Sequence, residues 1–268
     1  MARPLILVGA GHMGGALLRG WLAKNLGPIV VIEPMPSPGI RKLAGLRKFT
    51  LRKTAVEIGG PIRACVVALK PQILKTEAIT LRPLAESSAL MVSIAAGTTE
   101  KALAKAWGTK ARIVRAMPNL PGAIGQGISA LHAGPNVTAK DKALAQSLLA
   151  ALGETIWVSR EDMIDTVTAL SGSGPAYVFL LVEALAAAGE AEGLPRAAAL
   201  KLARATITGS GALLMSDPRP AAELRAGVAS PGGTTEAALR VLMAADGLKA
   251  LMARAISAAR KRAGELAT

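Results

Sequence analysis

Cysteine, histidine and aromatic side chains are all scarce in this 268-residue chain, which has one Cys, two His, three Trp, two Phe and one Tyr. The lone Cys65 lies in the apolar run Ala64–Ala68, so no disulfide framework can form and a reduced, cytoplasmic setting is expected. His12 sits in a glycine-rich turn and His132 toward the end of a strand, and neither supports a histidine proton relay. So few aromatics leave the interior to Ala, Leu, Val and Ile, and leave almost nothing on which nucleic-acid bases could stack. Dense basic blocks are also missing, despite a net charge of +14: pairs such as Arg41-Lys42 and Arg52-Lys53 and the triplet Arg260-Lys261-Arg262 are as far as clustering goes. Most of that charge reads as solvated helix surface, some of it attracting phosphate and carboxylate ligands, and nucleic acid is not an expected partner. Long hydrophobic runs are absent too. The N-terminal apolar run ends in glycines rather than a cleavage site, and Ala176–Gly189 is interrupted by Glu183 and too short to span a bilayer. A soluble protein with no membrane partner is expected.

What the chain does have begins at once. Leu5–Val8 is the continuous apolar run of a buried parallel strand, and it ends in Gly9-Ala10-Gly11-His12-Met13-Gly14. The glycines fall at the first, third and sixth places of the dinucleotide fingerprint. There Gly9 turns the chain, Gly11 admits a pyrophosphate and Gly14 lets helix pack on strand. Met13, Leu17, Trp21 and Leu22 then recur at helical spacing, so the N–H groups of a helix N-terminus face the turn.

Further apolar strands follow at Ile29–Ile32, Arg63–Leu69, Ala89–Ile94, Arg112–Ala116, Gly127–His132 and Glu154–Val158, separated by helices. Glu33, about 20 residues after the glycines, suits the ribose hydroxyls of NAD. Ser37, Arg41 and Lys42 close behind it suit the 2′-phosphate of NADP, so both cofactors remain open. Lys70 and the small residues Ala95, Ala96 and Gly97 fall at strand carboxyl ends, where ligands sit in an open parallel sheet. Asn119, between two prolines, lies in a stiff turn at the same edge.

The character changes at Ser159, where Ser159-Arg160-Glu161-Asp162 reads as a capping box and no strand pattern returns. Ser171-Gly172-Ser173-Gly174-Pro175 is expected to break the helix that follows. An α/β fold is therefore expected: a Rossmann-like doubly wound domain over 1–158 and an all-α domain over 159–268. In the second, Ser230-Pro231-Gly232-Gly233-Thr234-Thr235 reads as an N-cap and helix start whose N–H groups and hydroxyls suit a small carboxylate.

Ala68-Leu69-Lys70-Pro71-Gln72, Ser93–Gly97, Arg115–Asn119, Ala169–Tyr177 and Val228–Thr235 follow the glycine turn in this order and spacing. The set closely resembles pyrroline-5-carboxylate reductase, from the first strand to within a few turns of the C-terminus. The resemblance implies reduction of the cyclic imine 1-pyrroline-5-carboxylate to L-proline, the last step of proline biosynthesis, by NADPH with NADH as the alternative. It implies a helical domain that interlocks two copies, often five such pairs together, and an active site built at the dimer interface. By position, Gly9, Ala10, Gly11, His12, Met13, Gly14, Ala68, Leu69, Lys70, Pro71, Ala95, Ala96 and Gly97 would line the cofactor, with Glu33, Ser37 and Asn119 beside them. Glu161, Ser230, Gly233, Thr234 and Thr235 would surround the substrate. Imine reduction needs a ring-sized pocket, carboxylate donors and a hydrogen bond to the ring nitrogen, but no metal and no covalent nucleophile. Thr235 is the candidate for that hydroxyl and the single candidate catalytic residue.

Two departures stand out. Relatives carry an acidic residue just before the proline ahead of Leu224-Arg225, whereas here Asp217 stands in Ser216-Asp217-Pro218-Arg219-Pro220. The loop after the second strand is also unusually rich in proline. A β-hydroxyacid dehydrogenase would need a lysine early in the helical domain, and none occurs between Ser159 and Leu200. A non-catalytic NADP sensor would have no use for the Ser230–Thr235 stretch.

Overall fold

A computed structural model describes residues 2–46, 48–56 and 58–267. By packing, the chain forms two units: one runs to Ser173 and is rejoined from Ala259 onward, the other is Gly174–Ala258.

The first unit is an eight-stranded sheet in the order β3-β2-β1-β4-β5-β6-β7-β8. Its strands are β1 (Leu5–Val8), β2 (Ile29–Ile32), β3 (Thr50–Arg52), β4 (Ala64–Val67), β5 (Leu90–Ser93), β6 (Arg112–Met117), β7 (Gly127–Ala133) and β8 (Gly153–Trp157). The first six are parallel; β7 runs antiparallel to β6, and β8 parallel to β7. All the expected strands form. β3 is an addition, an edge strand whose Thr-Leu-Arg sequence has no apolar run because only Leu51 faces inward.

Alternate residues of the central strands feed two cores, one on each face. Leu5, Leu7, Val66 and Val92 meet α1 (His12–Ala23) and α6 (Ala139–Leu149) on one side. Ile6, Val8, Cys65, Val67 and Met91 meet α3 (Pro71–Glu77), α4 (Arg82–Glu86) and α5 (Glu100–Trp107) on the other. Each core also holds one fully buried tryptophan whose indole N–H is satisfied by a carbonyl: Trp21 donates to Leu148 at 2.9 Å and Trp107 to Ala78 at 3.0 Å. Between β2 and β3 lies α2 (Pro38–Gly45). Burial pushes the Cys65 thiol far above its ordinary range, which leaves it inert.

After β8 the expected capping box does not form. Asp162 pairs with Arg160 and Glu161 turns to Arg115, so α7 (Met163–Val167) starts with no side-chain cap. Because α7 packs on β6 and β7, it belongs with the sheet, and the division by packing falls beyond the expected boundary at 158/159. Nor does the Ser-Gly-Ser-Gly-Pro stretch break the helix. The backbone passes through a π-turn at Thr168–Gly172, closed by Ser173 N–H donating to Thr168 O at 2.8 Å, and stays helical to Ala191. That corrects the expected length: Met163–Ala191, 29 residues, is long and apolar enough to cross a membrane by length and composition.

The second unit is helical: α8 (Gly174–Ala191), α9 (Arg196–Ser216), α10 (Ala221–Val228), α11 (Thr234–Leu242) and the start of α12 (Leu248–Leu266). Helices α8 and α9 pair closely, with Gly189 against Ala199, yet only Ala186, Ala199 and Ala203 are buried in them. None of α10, α11 or α12 buries a residue. Phe179, Leu180 and Met215 are 55%, 63% and 73% exposed. Apolar surface on this scale, on helices with almost no core of their own, marks an association surface.

Candidate functional site

The parallel strands β1 and β4 are neighbours although β2 and β3 continue the sheet the other way, so the crevice opens at their carboxyl ends. The glycine turn occupies that point. Gly9 adopts φ +87°, and a Cβ there would lie 2.8 Å from the Ala68 carbonyl oxygen; one on Gly14 would strike the Gly9 carbonyl. Gly11 is different: a Cβ on it would meet nothing within 4 Å. It precedes α1, whose first turn has neither a side-chain cap nor an acidic residue. Its N–H groups are therefore open to an anion. Gly11 and His12 are exposed, Met13 is half-buried, and Ala10 and Gly14 are buried.

Glu33 leaves β2 directly beside this turn. One carboxylate oxygen accepts the Ala10 N–H at 2.8 Å and the other the Met35 N–H at 3.1 Å. Ser37 caps α2, accepting the Ile40 N–H, while Arg41 folds back so that its Nε donates to Pro36 O at 2.9 Å. Ala68 packs on Gly14, and Leu69 borders Gly9. Lys70 is the exposed N-cap of α3, with Pro71 at the first helical position. Ala95 is buried, Ala96 half-buried, and Gly97 (φ +66°) has the Leu266 carbonyl nearby. Beyond the expected residues, Val8, Ile32, Leu69 and Ile73 floor a cavity of about 380 Å³ rimmed by Lys53 and Thr54. Lys53, read only as part of a basic pair, and Thr54 were not expected here because they follow β3, whose short edge sequence carries no strand signal. A larger groove of about 510 Å³, between Arg82, Trp107, Lys110 and Arg112, opens at the amino ends of β5 and β6, the edge away from the glycine turn.

The Asn119 amide is used within the protein. Its Oδ1 accepts the Ile128 N–H at 3.0 Å and its Nδ2 donates to Ser171 Oγ at 3.2 Å, tying the turn after β6 to β7 and to the π-turn. Gly172, next to Ser171, allows that approach, since a Cβ there would stand 2.6 Å from the Met117 Cε. Glu161 Oε1 receives both Arg115 Nη1 at 2.7 Å and the Glu100 N–H at 2.5 Å. His132 Nε2 lies 3.7 Å from Glu100 Oε2. Burial, then the Glu161 charge, raises the Glu100 carboxyl above its ordinary range.

In the second unit, Ser230 is not the N-cap. Gly232 at φ +70° closes a turn in which the Gly233 N–H donates to Ser230 O at 3.0 Å, so Gly233 caps and Thr234 and Thr235 open α11. The Gly232 N–H is taken by the carboxylate of Glu236 at 2.5 Å. Ser230 and Thr234 are exposed and Thr235 half-buried. Asp217 is claimed by Arg219, whose Nη2 stands 2.6 Å from its Oδ2, and this partner holds its carboxyl below the ordinary range.

The chain is similar to known proteins along nearly its whole length. A family model described as pyrroline-5-carboxylate reductase dimerisation matches residues 161–266. The pyrroline-5-carboxylate reductase of Pseudomonas aeruginosa is 39% identical over 270 residues, covering 100% of this chain and 98% of that protein. A solved pyrroline-5-carboxylate reductase from Coxiella burnetii superposes with a TM-score of 0.90 at 35% identity, covering 98% of each chain. The Plasmodium falciparum pyrroline carboxylate reductase, solved with NADP bound, gives 0.81 at 28% identity over 99% of this chain and 98% of that one.

Proposed function

This chain belongs to the pyrroline-5-carboxylate reductase family, and on that premise we propose how its residues divide the work of reducing 1-pyrroline-5-carboxylate to L-proline. When bound, the reduced nicotinamide supplies a hydride to the imine carbon, while the ring nitrogen takes a proton. The dinucleotide is NADPH, with NADH as the alternative. The observation that carries this is the uncapped start of α1 beside Gly11, where backbone N–H groups meet open space suited to a pyrophosphate. His12 and Met13 belong to the same helix start. The apolar cavity floored by Val8, Ile32 and Leu69 takes the adenine, and Glu33 and Ser37 stand at its ribose. Ala68, Leu69, Lys70 and Pro71 support the middle of the cofactor, with the Lys70 charge raising the local potential. Ala95, Ala96 and Gly97 present a flat backbone to the nicotinamide, and Asn119 shapes the edge of that surface.

For the substrate, the turn from Ser230 through Gly233 to Thr234 and Thr235 binds the carboxylate. The Gly232 N–H is taken by Glu236 and the Gly233 N–H by Ser230 O, so the donors offered to the substrate carboxylate are the Ser230 and Thr234 hydroxyls and the backbone N–H groups that open α11. The Thr235 hydroxyl hydrogen-bonds the ring nitrogen. It orients that nitrogen more than it acidifies anything, since a threonine is a poor proton donor at neutral pH. Glu161, which packs with the sheet although it follows the expected boundary at 158/159, contributes to the substrate site.

Helices α8 and α9 bury their apolar faces against a second copy, and the long run Met163–Ala191 serves that pairing rather than a bilayer. Five such pairs assemble into the full particle, which works in the cytoplasm. The deciding assay follows NADPH and NADH oxidation with 1-pyrroline-5-carboxylate, and with 3-hydroxy acids run in reverse. Turnover of the imine alone is expected; folded protein inactive on it would reject the reading.

A further inference from the structure

We propose that Arg115 is a positioning residue for the reduction, acting through Glu161 to fix the segment entering α7 against the first turn of α5. The inference rests on the reading of Glu161 as a substrate residue. Arg115 stands in β6, level with Ser93 of β5 and His132 of β7, and its side chain is only 4% exposed. Its Nη1 and the Glu100 N–H converge on one oxygen of Glu161. One carboxylate oxygen thus joins the entry to α7 to two elements 61 and 46 residues earlier, and the second oxygen has no partner among the described residues. Glu100 opens α5, only three residues after Gly97. The junction therefore sets Glu161 relative to the loop assigned to the nicotinamide.

The balance of charge at this place also argues for more than packing. Carboxylates of Glu100, Glu161, Asp162 and Asp165 face the cations Arg115 and Arg260, with His132 beside Glu100 and Arg160 paired to Asp162. Burial raises the Glu100 and Asp165 carboxyls, the charge of Glu161 adds to this, and Arg115 opposes it at both. Arg115 Nη2 is buried with no hydrogen-bond partner among the described residues, so the guanidinium is not arranged for stability alone. Removing it would leave Glu161 held by a backbone N–H only, and the Glu100 and Asp165 carboxyls harder to ionise.

The test compares Arg115→Met, Arg115→Lys, Glu161→Gln and the double variant Arg115→Met/Glu161→Gln in the assembled enzyme. Melting temperature, NADPH binding by fluorescence, KM for each substrate and the pH profile of kcat/KM are all measured. Arg115→Met is expected to raise the KM for the imine on the order of tenfold and Arg115→Lys about threefold, with NADPH binding within about twofold of wild type. The acid limb of the profile should move to higher pH in Arg115→Met, which a purely structural role would not produce. The double variant should be no worse than Glu161→Gln alone. Wild-type imine KM and acid limb in folded Arg115→Met would overturn the proposal, as would additive losses in the double variant. If Arg115→Met does not fold, Arg115→Lys decides in its place: a threefold rise supports the proposal and a wild-type KM overturns it. An unchanged imine KM in Glu161→Gln would instead reject the role of Glu161 itself, a failure that these readouts keep separate.

Discussion

Two glycines of one turn should respond to the same substitution in opposite ways. Gly14→Ala places a methyl against the carbonyl of Gly9 and 3.1 Å from the Ala68 Cβ, and neither can retreat, because one is backbone and the other packs on the turn. Overpacking of this kind costs about 1–3 kcal/mol. For a chain of this size that is a fall in melting temperature of roughly 2–10 °C. Gly11→Ala puts its methyl where nothing lies within 4 Å, and the residue has an ordinary φ of −67°. Less backbone freedom in the unfolded chain makes that variant as stable as wild type, or more so by about 0.4–1 kcal/mol. Its defect appears only with cofactor, since the methyl fills the space assigned to the pyrophosphate: the KM for NADPH should rise about 10–100-fold, or about 1.4–2.8 kcal/mol. Thermal melts with and without NADPH, together with initial rates, separate the two. Gly11→Ala melting as low as Gly14→Ala, or keeping a wild-type KM for NADPH, would refute the placement of the cofactor over Gly11.

Thr235→Ala should lower kcat at least tenfold while NADPH binding, read by fluorescence, changes less than about twofold; unchanged turnover would remove the hydroxyl from the mechanism. Glu33→Ala should reduce kcat/KM for NADH about threefold more than for NADPH, because each of its oxygens keeps a lone pair for a ribose hydroxyl beyond the N–H it accepts from Ala10 or Met35. Equal losses would confine Glu33 to bracing the turn. Glu100 bears on stability: with its carboxyl raised by burial and by Glu161, the folded protein holds that proton more tightly than the unfolded chain. Its contribution is present at acid pH and lost as pH climbs from the unfolded value of about 4.3 through the raised one. Glu100→Gln should therefore lose less melting temperature than wild type between pH 4 and pH 7, and parallel curves would contradict the assignment.

The legible parts of the sequence were those governed by near neighbours. Leu5–Val8 with its glycines, the strand Ile29–Ile32 and the helical character of the chain beyond Ser159 all follow from local chemistry, and the structure has them where expected. Misreadings arose where a distant group won. Ser159–Asp162 has the spacing of a capping box, but Arg115, 46 residues before Glu161, outbids the helix N-terminus for that carboxylate. Ser230-Pro231 reads as a helix start until Gly232 bends the chain and moves the cap to Gly233. The glycine-rich stretch after Leu170 suggested a break, yet those small residues let a π-turn lie against Met117. Asn119 was visible as a residue of the ligand edge, whereas its bonds to Ile128 and Ser171 depend on a topology that one sequence does not display.

The five-helix half of the molecule has a consequence for how the protein behaves in dilute solution. With three alanines as nearly all of its interior, that half has little to hold it together until a twin arrives, so its folding is a bimolecular event. Its melting point should climb with protein concentration, and freshly made chains should stay vulnerable to proteolysis along α8 to α11 until they meet. The sheet-bearing half, already filled by Trp21 and Trp107, would wait intact.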